Sequence, residues 1–519
     1  MSRSAIAPIL QGIPAARQMD ARHYGVHPYF TRRPANVVRA YIERFTRDGD
    51  VVLDPFGGSG VTAIEAMLLG RTGIHNDLNP FANFIAQTIA DTTLPSVSPV
   101  LEAFSRIERP WREIVRRIQA DPHVAAAWLK KVPLPENIEL PRNSDARRYF
   151  DLFTPAQLAG LAVLKQAVEL EKEAPTRNLL LLAWSASLAK LNKTFLSAKG
   201  RAASRGGSSI FSIYRYKLAA EPVELPIWET FKARFTNVIE AKHEVLQTRD
   251  YYRARGRDSR IVDSRKHFRA YACDASSLGQ VLPKESVDYI FTDPPYGGFI
   301  TYLDLSILWN HWLGFPVTDS ARDQETIVGG EKGHSEEHYR RGLACSVKTC
   351  FELLRADRWC SIVFQHWDVS YFATILEAAE ESGAKLKAAI TQTGNVIWSM
   401  HKKKNSEGVL SGELILTFYK PKRSRRKTAH AAPSTHDRKA VLSDVFDACL
   451  SNGRYTFGSE LLFNQIVMEL WRRRALSCLS LDRRVFVEEL KSRGWSYNCR
   501  THLWSKQEPQ QHAKTLFDE

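Results

Sequence analysis

The sequence predicts an α/β fold: a doubly wound, mostly parallel sheet with a large helical insertion and a small C-terminal module that is helical or winged-helix-like. Three observations predict it. Val51-Val52-Leu53-Asp54 is an apolar run leading into Pro55-Phe56-Gly57-Gly58-Ser59-Gly60, and residues 61–69 follow with a helical pattern. This is strand, glycine turn, helix, and such a turn stands at the carboxyl end of a sheet strand, where doubly wound folds bind ligands. Strand and helix patterns alternate again over residues 266–420. Between 93 and 265 the alternation stops, and residues 100–120, 155–173, 179–191 and 227–248 read as helices.

Composition sets the outer limits. A chain of 519 residues, 44% of them hydrophobic, is long enough for two or three domains with a sizeable core. No stretch approaches the roughly 18 apolar residues of a membrane span, and residues 6–13 are too short and too broken by proline for a secretory signal. A cytoplasmic protein with no membrane partner is expected. The seven cysteines are scattered without a Cys-x-x-Cys pair, which argues against a disulfide framework or a zinc site, and no metal is expected. None follows a proline in the Pro-Cys arrangement used for covalent attack on cytosine C5.

The 72 Lys and Arg against 57 Asp and Glu give a net charge of +15, favouring a polyanionic partner. The charge clusters. Lys190, Lys193, Lys199, Arg201, Arg205, Arg215 and Lys217 fall within 190–217 with no acid among them, interleaved with Phe195, Phe211, Tyr214 and Tyr216. Two readings stand level: a solvated loop, or a nucleic-acid grip in which Lys193, Lys199, Arg201, Arg205 and Arg215 neutralise phosphates and the rings stack on bases.

In chain order, residues 1–22 carry little pattern. His27 to Pro34 precede an amphipathic helix carrying Val37, Val38, Tyr41, Ile42 and Phe45, with Pro34 near its start. After the glycine turn and its helix, residues 71–77 form a second strand whose end is marked by Asp77, and Pro80 opens a helix through Ile89. A carboxylate at this point accepts ribose hydroxyls in α/β nucleoside sites, while Leu78 after it can cover the adenine. Alternatively it caps the helix, a position for which Asn79 competes. Residues 267–274 form a third strand ending in Asp274, and 287–292 a fourth leading into Asp293-Pro294-Pro295-Tyr296. Residues 359–364 and 414–419 are later strands, with helices at 338–354 and 371–382. Residues 421–437 form a basic linker. Helices at 441–450, 459–474 and 484–493 then precede Trp495, Tyr497 and Trp504, a tail that reads equally as a brace or as a nucleic-acid reader.

Leu53 to Gly60 together with Asp293-Pro294-Pro295-Tyr296 resembles the amino-group (adenine-N6 or cytosine-N4) DNA methyltransferases of the Asp-Pro-Pro-Tyr type, over roughly residues 20–92 and 265–420. The resemblance implies a Rossmann-like class I methyltransferase sheet and S-adenosyl-L-methionine as cofactor. It implies that Asp54, Phe56, Gly57, Gly58 and Gly60 surround the methionine part and that Tyr29, Phe30, Thr31 and Pro34 close that side. Asp77 and Leu78 would hold the ribose and cover the adenine, and Asp274 and Ala275 would hold the adenine edge. Gly297-Gly298-Phe299 is also similar to some RNA guanine-N2 methyltransferases, and Tyr302 to Leu313 resembles a helix of large prokaryotic DNA methylases. The chain departs from the family in placing its long insertion between the second and third strands, which leaves the recognition region open.

The tetrapeptide has its own logic. An exocyclic amine conjugated to an aromatic ring is a poor nucleophile, and two acceptors taking its two N–H groups favour a pyramidal nitrogen. Asp293 and the carbonyl of Pro294 would be those acceptors, Pro295 would hold the backbone extended, and Tyr296 would offer a flat face to a flipped base. The expected function is methyl transfer to adenine N6 in a specific duplex DNA sequence. Alternatives are cytosine N4, an RNA base, or a DNA-binding subunit without turnover. Any restriction or defence activity would come from a separate polypeptide, since no phosphate-binding Gly-x-x-x-x-Gly-Lys motif occurs. The expected organisation is 1–92 and 266–420 as two parts of one core, 93–265 as an inserted candidate DNA-recognition region, and 438–519 as the accessory module.

Overall fold

The computed structural model describes residues 6–16, 22–196, 207–254, 263–393, 410, 412–422, 438–451 and 455–506. Seven strands form the central sheet: β1 (Val51–Asp54), β2 (Thr72–Asn76), β3 (Phe268–Tyr271), β4 (Val287–Thr292), β5 (Leu354–Phe364), β6 (Lys385–Thr393) and β7 (Gly412–Lys420). Their spatial order is β3-β2-β1-β4-β5-β7-β6. Neighbours are parallel from β3 to β5, and β7 runs antiparallel to both β5 and β6.

This order sets the site. The chain leaves β1 toward β2 on one side, while β4 lies against its other side. The strand order therefore reverses at β1/β4, where a crevice opens beyond the carboxyl ends. The glycine turn and the tetrapeptide, far apart in sequence, both emerge there.

Burial explains the sequence of these strands. All six residues of β4 are buried, consistent with a central strand covered on both faces. Tyr41 and Phe45, from the helix Ala35–Phe45, join Tyr289, Phe291 and Trp359 in one apolar layer. Leu53, Ile74 and Ile290 pack with Tyr339, Leu343 and Phe372 in another. The mostly parallel α/β architecture expected from the alternation is thus present.

The structure departs from the sequence reading in detail. β6 was not expected: its register shifts between Leu386 and Ala388, which breaks the two-residue alternation by which a strand is recognised. β5 begins at Leu354 rather than 359, and Pro122–Leu129 is an additional helix.

Between β2 and β3 the helices Ser98–Ala120, Pro155–Glu169, Ala174–Leu188 and Ile227–Ala254 share an apolar core with Val26, Tyr29 and Phe30 and with the helix Ile307–Leu313. Two buried cations of the longest helix bind backbone carbonyls at the end of the helix Pro80–Ala90. Lys242 donates to Thr88, Ile89 and Asp91, and Arg249 donates to Thr92, Leu94 and Pro95. They satisfy carbonyls that a helix end leaves without partners.

In the basic stretch the rings belong to the interior. Phe195 and Tyr216 are 1% exposed, Phe211 packs on Phe30 and Trp309, and Tyr216 donates its hydroxyl to the Leu305 carbonyl at 2.7 Å. This corrects the base-stacking reading for those three rings. Arg215 is not without an acid: Asp145, distant in sequence, pairs with it and also accepts the Leu218 N–H. Lys193 is half-buried. Lys199, Arg201 and Arg205 lie outside the described residues, as does most of the linker at 421–437.

The tail forms helices Arg438–Leu450, Ser459–Arg472 and Arg483–Ser492 with three short strands, Thr456–Phe457, Ser496–Asn498 and Leu503–Ser505. Its helix Ser459–Arg472 packs against β6 and β7, and Trp367 meets Phe463 edge to face at 4.9 Å. None of the described helices is long and apolar enough to cross a membrane.

Candidate active site

One cavity joins the two motifs. Its wall includes Tyr29, Thr31, Asp54, Phe56, Gly57, Gly58, Asp77, Leu78, Asp274 and Ala275 of the expected cofactor set, together with Asp293 and Pro295. Expected residues outside this wall have other surroundings. Phe30 sits among Phe211, Tyr302 and Trp309. Pro34 caps the helix Ala35–Phe45, its carbonyl accepting from Val37 and Val38. Gly60 turns the chain into the helix Val61–Leu68 at φ +89, where a Cβ would come within 2.6 Å of Ala86 Cβ. Its glycine therefore serves a tight helix contact.

Asp54 organises the floor. Its Oδ1 accepts from Thr292 Oγ1 at 2.8 Å and from the Phe56 N–H at 3.1 Å, and its Oδ2 accepts from Thr62 Oγ1 at 2.8 Å. Burial pushes the carboxyl up to about 7, against the pull of these donors. The hydroxyls of Thr62 and Thr292 were not singled out from sequence, although Thr292 is adjacent to Asp293.

Asp77 reaches back over the glycine turn. Its Oδ2 accepts the Gly58 N–H at 2.7 Å, its Oδ1 accepts the Asn79 N–H at 2.8 Å, and burial raises the carboxyl to about 6. The competition for the helix cap is resolved: Asn79 Oδ1 accepts the Phe81 N–H at 3.2 Å. Asn79 is also held by Asn310 and Ser306, so the helix after the tetrapeptide is bonded to the turn after β2. That helix is buried. Trp309 stacks on Phe81 at 5.0 Å and donates to the Ser185 carbonyl at 3.1 Å.

The turn itself is close-packed. A Cβ on Gly57 would lie 2.2 Å from His75 Nδ1. His75 is fully buried, and desolvation lowers it to about 4, leaving a neutral ring behind the loop.

At the tetrapeptide, Tyr296 Oη donates to Asp293 Oδ1 at 2.5 Å, and Arg33 Nε donates to Asp293 Oδ2 at 2.6 Å. Burial raises the Asp293 carboxyl and the Arg33 charge opposes that rise. Tyr339 Oη donates to the Pro295 carbonyl at 2.6 Å, whereas the Pro294 carbonyl has no donor among the described residues. Tyr302 and Glu325 also line the cavity. Burial holds Glu325 near 8 although its Oε1 accepts the Leu303 N–H at 3.0 Å. The loop bearing Glu325 has no motif by which sequence could have marked it.

Fold and site together define a Rossmann-like α/β protein whose switch-point cavity links a glycine turn to an acidic tetrapeptide. Residues 12–87 match the family model for N6/N4 methyltransferases, described as DNA methylase. A curated relative, the Type II methyltransferase M.MjaII of Methanocaldococcus jannaschii, is 36% identical over 64 residues. That alignment spans 12% of this chain and 12% of the relative's length. Both similarities to amino-group DNA methyltransferases are thus confined to a short part of the chain, and the family-model match includes the glycine turn. Asp293–Tyr296 lies outside the residues that the family model matches.

Proposed function

We propose that this protein transfers a methyl group from S-adenosylmethionine to the exocyclic amine of a base in duplex DNA, with adenine N6 favoured over cytosine N4. The observation that carries the proposal is the single cavity whose wall contains both Asp77 with Gly57 and Gly58 and the acceptor Asp293. The residues suit the cofactor. Main chain without Cβ atoms forms one side, while Asp54, Asp77 and Glu325 supply acidic groups toward a ligand bearing a sulfonium and an ammonium. Phe56, Leu78 and Ala275 supply apolar contact. In this reading Asp77 holds the ribose and Asp274 the adenine edge.

The bound cofactor supplies an electrophilic methyl group. The protein supplies geometry. Asp293 and the Pro294 carbonyl each take one N–H of the target amine, so the nitrogen lone pair turns out of conjugation. Once methylated, that nitrogen carries a proton in excess, and the Asp293 carboxylate is placed to take it. Tyr296, whose ring meets Phe364 edge to face at 5.2 Å, supports the flipped base.

The basic stretch containing Lys193, Lys199, Arg201 and Arg205 is proposed to grip phosphates, and residues 93–265 to form the recognition region. The tail's order of helix, strand, two helices and two strands supports a winged-helix-like module at 438–519.

The test is tritiated methyl transfer from S-adenosylmethionine to DNA from a methylation-free host, compared with total RNA. Incorporation into DNA supports the proposal, incorporation into RNA alone replaces the substrate, and no incorporation overturns it. Modification-sensitive sequencing of host DNA after expression then reports N6 or N4 and the sequence context.

A further inference from the structure

Arg33 stands on the cavity wall with Asp293, and its contacts are those of a planar donor group set into an acceptor site. Its Nε donates to Asp293 Oδ2 at 2.6 Å, its Nη2 donates to Tyr296 Oη at 2.9 Å, and its guanidinium carbon is 6.0 Å from the Tyr296 ring centre. The remaining arm, Nη1, pairs with Glu413 near the start of β7. The side chain is 13% exposed, Asp293 16% and Glu413 25%. With Tyr296 Oη on Oδ1, both oxygens of Asp293 are engaged.

We infer that Arg33 holds the seat of the target amine on Asp293, that the incoming base must displace it, and that Glu413 keeps the displaced guanidinium paired. The inference rests on the methyltransferase reading and deepens it by naming a residue that governs entry of the base.

Three physical points support it. A guanidinium is flat and presents N–H donors in its plane, as the amine edge of adenine or cytosine does. It can therefore satisfy the same acceptor that a base satisfies. A cation removed from Asp293 in so enclosed a place would be costly if left alone, but Glu413 is already bound to another arm of the same group. The exchange then trades one charge-assisted hydrogen bond for another, and no ion is stranded. Finally, Arg33 lines the cavity itself, beside Thr31 and Arg32 of the segment His27–Pro34, so the gate and the cofactor wall share one stretch of backbone.

The charged and titratable groups facing Asp293 are Arg33, Tyr296 and Glu413 at close range, with Asp54 and Tyr302 also exerting charge on it or feeling its own. Arg33 lowers the Asp293 carboxyl and Glu413 raises it. Two variants therefore separate in sign. Arg33→Ala removes the competitor and the cation. It should lower KM for DNA by roughly threefold to tenfold, the scale of one hydrogen bond lost from competition, and move the acid limb of kcat/KM to higher pH. Glu413→Gln removes the second seat and the raising charge. It should raise KM for DNA by a similar factor and move the acid limb to lower pH.

The experiment is steady-state methylation of DNA from a methylation-free host by the full-length protein and both variants across pH, with thermal unfolding to check the fold. Opposite shifts of KM and of the acid limb in the two variants support the inference. Should Arg33→Ala fail to fold, Glu413→Gln alone decides, and an unchanged or lowered KM in it overturns the inference. An active wild-type enzyme whose KM rises or stays constant in a folded Arg33→Ala variant also overturns it, leaving the methyltransferase reading intact. A wild-type protein that methylates no DNA overturns both.

Discussion

Thr292 donates its hydroxyl to Asp54 at 2.8 Å across 238 residues of sequence. The bond ties the end of β4 to the end of β1, one residue before the tetrapeptide and one residue before the glycine turn begins. The glycine turn and the tetrapeptide are thereby fixed to each other by a buried carboxyl rather than by the sheet alone.

Thr292→Val keeps the shape and removes that donor. Asp54 then retains only Thr62 and the Phe56 N–H, and a buried carboxyl that loses a partner costs about 1–3 kcal/mol. The expected result is a lower melting temperature together with weaker S-adenosylmethionine binding by calorimetry. A variant with wild-type values for both would show that the link does not hold the site.

Asp293→Ala should leave cofactor binding unchanged, since the carboxylate is directed at the target amine in the proposed reaction. Methyl incorporation should fall by at least about a hundredfold, the lower range for a positioned proton acceptor. Calorimetry and tritium transfer on the same preparation check both halves, and retained turnover would remove Asp293 from its role.

Gly57→Ala sets a methyl group against His75, whose Nδ1 would be 2.2 Å from the new Cβ. Overpacking of this kind costs about 1–3 kcal/mol, and the displaced turn should lose cofactor affinity. Adding His75→Ala opens the space, so the double variant should recover both melting temperature and binding relative to Gly57→Ala. Additive losses would mean that the clash is relieved some other way.

His23 provides a pH test away from the chemistry. Burial disfavours its charge, but hydrogen bonding and charge from Glu244 and Glu65 outweigh burial and raise it to about 9. Its Nε2 is 3.2 Å from Glu65 and its Nδ1 3.4 Å from Glu244. The folded value lies above the ordinary 6.5, so this contribution to stability is present in full below about pH 6.5 and is lost as pH rises through 9. His23→Gln should therefore be most destabilising near pH 6 and nearly neutral above pH 9. Thermal unfolding of both proteins across that range decides, and a constant difference would assign the contacts no linkage.

Much of the central sheet was legible because its signals are local. A charge-free run ending in Asp54, a cluster of glycines directly after it, and a carboxylate after β2 all stand next to the elements they define. The two prolines of the tetrapeptide likewise announce themselves. Other features depend on residues brought together only by folding. Arg215 looked free of acids because Asp145 lies 70 residues away, and Phe211 and Tyr216 looked available to bases because nothing nearby reveals the core around Trp309. Lys242 and Arg249 carry no sequence signal for the carbonyls they bind, which lie more than 150 residues away around the end of Pro80–Ala90. Arg33 stood within a recognised segment, but only the approach of Asp293 and Glu413 gives it a part to play. The strand β6 escaped because a register shift interrupts the pattern that reveals strands.

The tail is joined to the sheet by more than a tether. Leu414 and Leu416 of β7 and Phe372 belong to the same buried cluster as Leu462, Phe463 and Phe486, and Asn464 donates to Thr391 of β6 at 3.1 Å. A protein shortened to its first 420 residues would wear that greasy flank on its outside. Such a fragment should clump in the cell, so a well-behaved sheet domain cannot be obtained simply by trimming the C-terminus.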